Sequence, residues 1–298
     1  MASCMADREE HLCMVKLAEQ VGRNDDMMNS MSKYISELSA TEELTEEEFT
    51  LLCTAYRKVM EPLRASWRRI YSIEQKVELH GNNKHAKMAK ESRCRIEGEI
   101  SEICYGLLKL LDEKVLVGTN CFGQSKVVYL TMKGDYYRYL AEVKAGDERR
   151  QAAECALNAY KFAQDIADTE LDPIHRARLR LAVNFSVFYY EILNQSERAC
   201  SVAKKAIDEA ITELTALGKE SDKEDIILIT LILRRINQNL TMWKSDMHSK
   251  TRDELHVVRF ATPADKVPNE PINDVPSICD IQDEIKKPIK PIDQEQKE

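Results

Sequence analysis

The amino-acid sequence predicts an all-α fold of nine antiparallel helices, and three observations carry that prediction. The 298 residues include only 9 Gly and 8 Pro, too few for the closely spaced turns of a sandwich or barrel. Apolar residues recur at spacings of three and four along most of the chain, the period of an amphipathic helix. The breaks between periodic stretches are short, so the long helices must lie lengthwise beside antiparallel neighbours. No solenoid-type internal repeat is present.

Leu12, Val15 and Leu17 open a short first helix, and Met27, Met28, Met31, Ile35 and Leu38 mark a second. Thr45 and Glu48 have the S/T-x-x-E spacing of a capping box. They start a third helix that runs to about Leu79, with a kink expected where Pro62 deletes a backbone donor. Gly81-Asn82-Asn83 is a turn. The fourth helix spans Lys84 to Val115, with Ile96, Ile100, Ile103, Leu107, Leu110 and Leu111 at helical spacing. After a loop from Gly118 to Gly123, helices cover 126–144, 147–168, 175–193, 197–217 and 223–248. Gly146-Asp147, Asp172-Pro173, Asn194-Gln195 and Gly218 separate them. The helical domain therefore occupies 1–247. Residues 248–298 hold six of the eight prolines and no glycine, which makes them an extended or disordered tail.

Composition excludes several function classes. The balance of 43 basic and 51 acidic residues gives a net charge of −8, unsuited to a nucleic-acid binder whose affinity comes from many Lys and Arg contacts. A local basic pocket is still compatible with it. The nine cysteines are odd in number and form no CxxC, so neither a disulfide framework nor a zinc site is expected. The longest apolar run, near Ile226–Leu233, is far short of the ~20 residues of a membrane span, and the N-terminus has no signal-peptide run. These features predict a soluble protein of the cytoplasm, with the nucleus also open to it. No nucleotide, zinc-protease or hydrolase motif is present, and none of the six His has metal-ligand spacing. No cofactor, metal or catalytic activity is expected.

Three segments carry recognition chemistry instead. Arg57, Arg64 and Arg68, separated by seven and four residues, fall on one helix face. Lys133-Gly134-Asp135-Tyr136-Tyr137-Arg138-Tyr139 sets a guanidinium fork beside phenolic donors, which suits phosphate oxygens. Asn184, Val187 and Glu191 form a stripe at spacings of three and four, with Phe185, Phe188 and Tyr189 expected to face the core. The last helix repeats the idea with Asn239, Met242 and Trp243. An Asn amide donates to and accepts from a peptide backbone at once, so two of them on neighbouring helices suit an extended strand.

Together these blocks resemble the 14-3-3 family. RxSWR near residue 64, KGDYYRYLAEV at 133–143, NFSVFYYEILN at 184–194 and NLTMW at 239–243 stand in that family's order, and KLAEQ at 16–20 and SIEQK at 72–76 agree. The resemblance covers about 6–247. It implies a cup of nine helices, with about 6–115 as dimerisation half and groove floor and 126–247 as groove wall. It also implies a non-catalytic adaptor that binds phosphoserine or phosphothreonine motifs of client proteins. The alternative is an all-helical scaffold that binds partners without reading phosphate. By the resemblance, Arg57, Arg64, Arg138 and Tyr139 hold the phosphate, with Arg57 in place of the family's usual Lys. Asn184, Val187, Glu191, Asn239, Trp243 and Lys133 line the peptide, and Arg68 orients pocket neighbours. Thr131 stands in place of a groove Lys, Val183 in place of Leu, and Arg235 in place of an apolar groove residue. Ile232 and Ile236 are then candidates for that helix's apolar wall, and four extra residues precede Trp243.

A homodimer is implied through Arg23 with Glu99 and Asp26 with Arg95. Gly22, Asn24, Ser92 and Gly98 depart from the family pattern there, so the dimer is expected to be weakened or re-angled. Ser66, read as lying on the inner face of the third helix near the dimer contact, is a candidate phosphosite. Thr262, in Arg259-Phe260-Ala261-Thr262-Pro263 of the tail, is another. Once phosphorylated it would be a self-ligand for the groove.

Overall fold

The computed structural model describes residues 2–39, 42–116, 123–217 and 223–256. Among them it contains nine α-helices and no strand. They are α1 (Ala2–Gln20), α2 (Asn24–Ser36), α3 (Glu46–Leu79), α4 (Asn83–Leu110), α5 (Gly123–Val143), α6 (Gly146–Glu170), α7 (Arg176–Glu191), α8 (Ser196–Leu217) and α9 (Lys223–His256). A π-helical turn, Leu111–Val115, closes the segment after α4.

The helix order follows the sequence pattern, with three differences. α1 is not short: it begins at Ala2 and has 19 residues. Only its C-terminal half carries apolar periodicity, so its start is silent in the pattern. The fourth helical segment does reach Val115, but its last five residues widen into the π turn, which keeps Leu111 and Val115 both buried. α9 continues to His256, past the boundary set at 247. The residues from His248 to His256 contain no proline, and the prolines that defined the tail begin only at Pro263. The loop from Gly118, the Gly218 break and Thr262 lie outside the described residues.

Local chemistry explains the starts of the two helices that matter most below. At α3, Thr45 Oγ1 accepts from Glu48 N at 3.3 Å while Thr45 N donates to Glu48 Oε2 at 2.8 Å, the reciprocal capping box. α3 then runs unbroken through Pro62 for 34 residues. At α7, His175 Nδ1 accepts from Ala177 N at 3.2 Å. Burial first, and Arg176 second, lower the His175 pKa and keep the ring in the neutral form that this cap requires.

The odd-numbered helices run parallel. Phe49 meets Tyr129 at 5.3 Å and Tyr56 meets Tyr136 at 6.1 Å, so successive residues of α3 meet successive residues of α5. Between α7 and α9, Arg176 lies 3.9 Å from Asp225 near their starts, and Tyr190 stacks on Trp243 at 5.0 Å near their ends. The polar stripes of α3, α5 and α7 are thereby brought to one face, with α9 alongside. Behind α5, α6 supplies Tyr160, fully buried against Phe185 and Phe188 of α7. Phe185, Phe188 and Tyr189 are all in the core, as expected from the sequence.

α5 and α6 approach closely at Gly134. A Cβ there would fall 2.6 to 2.9 Å from ring carbons of Tyr160. Gly134→Ala would gain about 1 kcal/mol of helix propensity, but forcing the ring away costs roughly 1–3 kcal/mol. The ring is pinned by its bond to Asp135 and by two phenylalanines, so the clash wins. Urea denaturation of Gly134→Ala should show a lower midpoint than wild type; an equal or higher midpoint would contradict the close approach.

Candidate functional site

The site grows from the basic face of α3. Arg64 is only 4% exposed, and its Nε donates to Glu142 Oε2 at 2.8 Å. Arg68 Nε donates to the other oxygen of the same carboxylate at 2.5 Å. Burial alone would raise the pKa of Glu142, but the two guanidiniums outweigh it and hold the carboxyl below its usual range. One carboxylate of α5 thus fixes two arginines of α3.

Arg138, four residues earlier on α5, is 3% exposed. Its Nε donates to Tyr160 Oη at 3.3 Å, Tyr160 donates to Asp135 Oδ1 at 2.6 Å, and Asn184 Nδ2 donates to Asp135 Oδ2 at 2.8 Å. Burial and the adjacent Asp135 push the Tyr160 phenol well above its ordinary pKa, so it stays a donor. The chain links α5, α6 and α7 and sets the rotamers of both Arg138 and Asn184. Between the arginines lies Tyr139, with the Arg64 guanidinium 3.8 Å from its ring centroid and that of Arg138 4.7 Å away.

Glu191 closes the cluster, 4.0 Å from both Arg138 and Arg68. Burial raises its pKa; Arg138 and Arg68 lower it, but Glu142 opposes them. An open cleft of about 530 Å³ lies over the group, with Arg57, Glu61, Asp135, Arg138, Arg180 and Asn184 in its lining. Five guanidiniums (57, 64, 68, 138, 180) face four carboxylates (Glu61, Asp135, Glu142, Glu191), a surplus of one positive charge. A dianion entering the cleft meets cations whose desolvation was settled on folding, where charge-assisted hydrogen bonds are strongest.

Arg57, Arg64, Arg68, Arg138, Tyr139, Asn184 and Glu191 are therefore brought together. Val187 is 8% exposed on α7, between Asn184 and Glu191. On α9, Asn239 is 3% exposed and its Nδ2 has no hydrogen-bond partner among the described residues. Trp243 is fully buried against Tyr190, whose hydroxyl bonds Asp246 at 2.5 Å, so it braces α9 against α7, and its Nε1 has no hydrogen-bond partner among the described residues.

Lys133 is not among the residues lining the cleft. Its Nζ pairs with Asp112 of the π turn at 2.5 Å. Ser66 is a correction of placement: two residues from buried Arg64, it lies on the exposed face of α3, not the inner one. Arg23 pairs within its own helix start with Asp26, and Arg95 and Glu99 are exposed on α4. Four site residues were missed. Arg180 lies four residues before Asn184, Asp135 and Glu142 flank Arg138, and Tyr160 comes from a helix without a polar motif. The first three were detectable as extensions of the stripes.

The family model described as 14-3-3 protein matches residues 14–244. Among curated proteins, the chain is 54% identical over 256 residues to "14-3-3 protein 6" of Solanum lycopersicum, covering 86% of this chain and 96% of that protein. It is 55% identical over 248 residues to "14-3-3-like protein 16R" of Solanum tuberosum, covering 83% and 94%. A "14-3-3-like protein" of Helianthus annuus is 53% identical over 255 residues, 86% and 96% of the two chains.

The depressed pKa of Glu142 has a consequence for acid stability. A carboxylate held low in the fold contributes stability above its unfolded pKa, and that contribution disappears as pH falls through the folded value. Glu142→Gln leaves Arg64 and Arg68 without their shared partner and should cost about 3 kcal/mol at pH 7. Denaturation curves of wild type and variant should converge as the pH falls through the folded pKa of Glu142; a difference that does not change with pH would contradict the assignment.

Proposed function

The chain belongs to the 14-3-3 family of non-catalytic adaptors, and from that premise we propose that it binds phosphoserine and phosphothreonine motifs of client proteins in the cleft between α3, α5 and α7. The convergence of Arg57, Arg64 and Arg138 around Tyr139 supports this reading above all. The phosphate bonds the guanidiniums of Arg57, Arg64 and Arg138, which the carboxylates of Glu142, Asp135 and Glu191 hold in place. Asn184, oriented by Asp135, holds the ligand backbone from α7, and Asn239 does so from α9. Burial raises the pKa of Glu191, which weakens its hold on Arg138 in the direction an anion site needs.

Homodimerisation completes the proposal. Leu17, Val21, Ile73 and Met88 are large apolar side chains 48% exposed or more on α1, α3 and α4 or just beyond α1. They lie on the elements that carry or adjoin Arg23, Arg95, Glu99 and Ser66. The tail is a self-ligand through phosphorylated Thr262, competing with clients from its own chain or its partner. Among the described residues no helix is long and apolar enough to cross a membrane. The protein's proposed compartment is the cytoplasm, with the nucleus also open to it.

Fluorescence polarisation with phosphorylated and unphosphorylated versions of one peptide tests the reading. Arg64→Ala or Arg138→Ala should weaken the phosphorylated peptide by about tenfold to a hundredfold. Circular dichroism should stay unchanged. Equal affinity for the two peptide forms would instead favour a scaffold indifferent to phosphate.

Ser66→Glu tests the dimer. Added charge on that face should shift the sedimentation coefficient towards monomer at low micromolar concentration. No shift would separate Ser66 from the interface.

A further inference from the structure

We propose that the cleft holds a second anionic subsite, centred on Arg180, and that the protein selects ligands carrying another acid group about two residues from the phosphorylated one. This rests on the phosphopeptide reading above and adds a selectivity to it.

The N-terminal half of α7 reads Arg176-Ala177-Arg178-Leu179-Arg180, and the structure separates the three arginines. Arg178 is committed to the outer side. It donates to Leu171 O at 2.7 Å and to Glu209 at 2.9 Å, and lies 2.8 Å from Asp168. Arg176 and Arg180 lie on the other face, in phase with Asn184, Val187 and Glu191 at spacings of four, four, three and four. Arg176 reaches Glu46 and Asp225 only at 3.9 Å, through side chains 73% and 58% exposed, contacts that solvent screens heavily. Arg180 is half-buried and lines the cleft with Arg57, Arg138 and Asn184.

The phosphate cluster already has its guanidiniums gathered around Tyr139, towards the C-terminal half of α7 where Glu191 stands. Arg180 stands on the opposite side of Asn184, one helical turn or about 6 Å along the axis. An extended peptide advances about 3.3 Å per residue, so with the backbone of the phosphorylated residue held at Asn184, one turn of α7 reaches an acid group two ligand residues away. α9 repeats the arrangement. Arg235, half-buried, lies four residues before Asn239 just as Arg180 lies four before Asn184, and α9 runs beside α7 in parallel. Each of the two helices therefore carries an amide for the ligand backbone, preceded by one turn by a guanidinium for a ligand side chain. A guanidinium fork accepts carboxylate or phosphate in the same bidentate geometry.

The test uses the full-length protein and one peptide scaffold. Its forms are unphosphorylated, singly phosphorylated with neutral neighbours, and singly phosphorylated with either Glu or a second phosphoserine two residues before or after. Affinities are measured by fluorescence polarisation in wild type, Arg180→Gln, Arg180→Lys and Arg235→Gln, each checked by circular dichroism. In wild type one placement of the second acid group should bind about tenfold more tightly than the neutral phosphopeptide. That ratio should fall to within about twofold in Arg180→Gln and be largely kept in Arg180→Lys, which retains the charge. A larger gain for Glu or for phosphoserine identifies which acid the subsite prefers, and either supports it. A wild-type ratio near one overturns the proposal. So does an Arg180→Gln variant that weakens neutral and acidic phosphopeptides by the same factor, since Arg180 would then serve only the first phosphate. If the unphosphorylated peptide binds as tightly as the phosphorylated one, the underlying phosphopeptide reading fails instead, and the subsite falls with it.

Discussion

The shared carboxylate of Glu142 is the constraint on which the cleft depends. Arg64 and Arg68 sit one turn apart on α3, and both are pulled towards α5 by the two oxygens of a single side chain. Buried guanidiniums without partners would repel each other and be costly to desolvate. Glu142 offsets most of that cost through the Nε of each arginine. The same carboxylate ties α3 to α5, so the cleft cannot widen there without breaking a buried ion pair.

Asp135 performs the equivalent task further along α5, with a different chemistry. It accepts a phenol from α6 and an amide from α7, and it approaches Arg138 only at 3.5 Å. Arg138 is thus oriented by a neutral acceptor, the Tyr160 hydroxyl, as well as by the Asp135 carboxylate. Tyr160 can reach this position because Gly134 leaves room for its ring. A packing detail between α5 and α6 therefore helps fix the direction of Arg138, linking core geometry to the cleft.

Most of the helical architecture was legible in the sequence because it depends on local signals: apolar period, the Thr45–Glu48 box, and short glycine- or proline-marked breaks. What escaped were features without a local signature. α1 has no apolar stripe upstream of Leu12, and the end of α9 was hidden by prolines several residues beyond it. At the site, side chains on a single helical stripe were readable, since phase alone brings Arg57, Arg64 and Arg68 together. Lys133 lies in the same motif as Arg138 but at another phase, beside Asp112. Tyr160 could not be found that way, because its role comes from α6 packing behind α5.

Phase also explains why α7 can act as a ruler. Helices rise 1.5 Å per residue and extended ligands about 3.3 Å, so a stripe at spacings of three and four matches every second residue of a bound strand. Along α7 that stripe passes from guanidinium to amide to methyl pair to carboxylate. The carboxylate of Glu191 lies at one end, beside Arg68 and Arg138. The guanidinium of Arg180 lies at the other end, in a lining shared with Glu61 and Asp135 of other helices. The gradient of charge along one helix therefore gives the cleft a direction as well as a sign. A symmetrical anion would use only its phosphate end; a peptide with two acid groups would use its length.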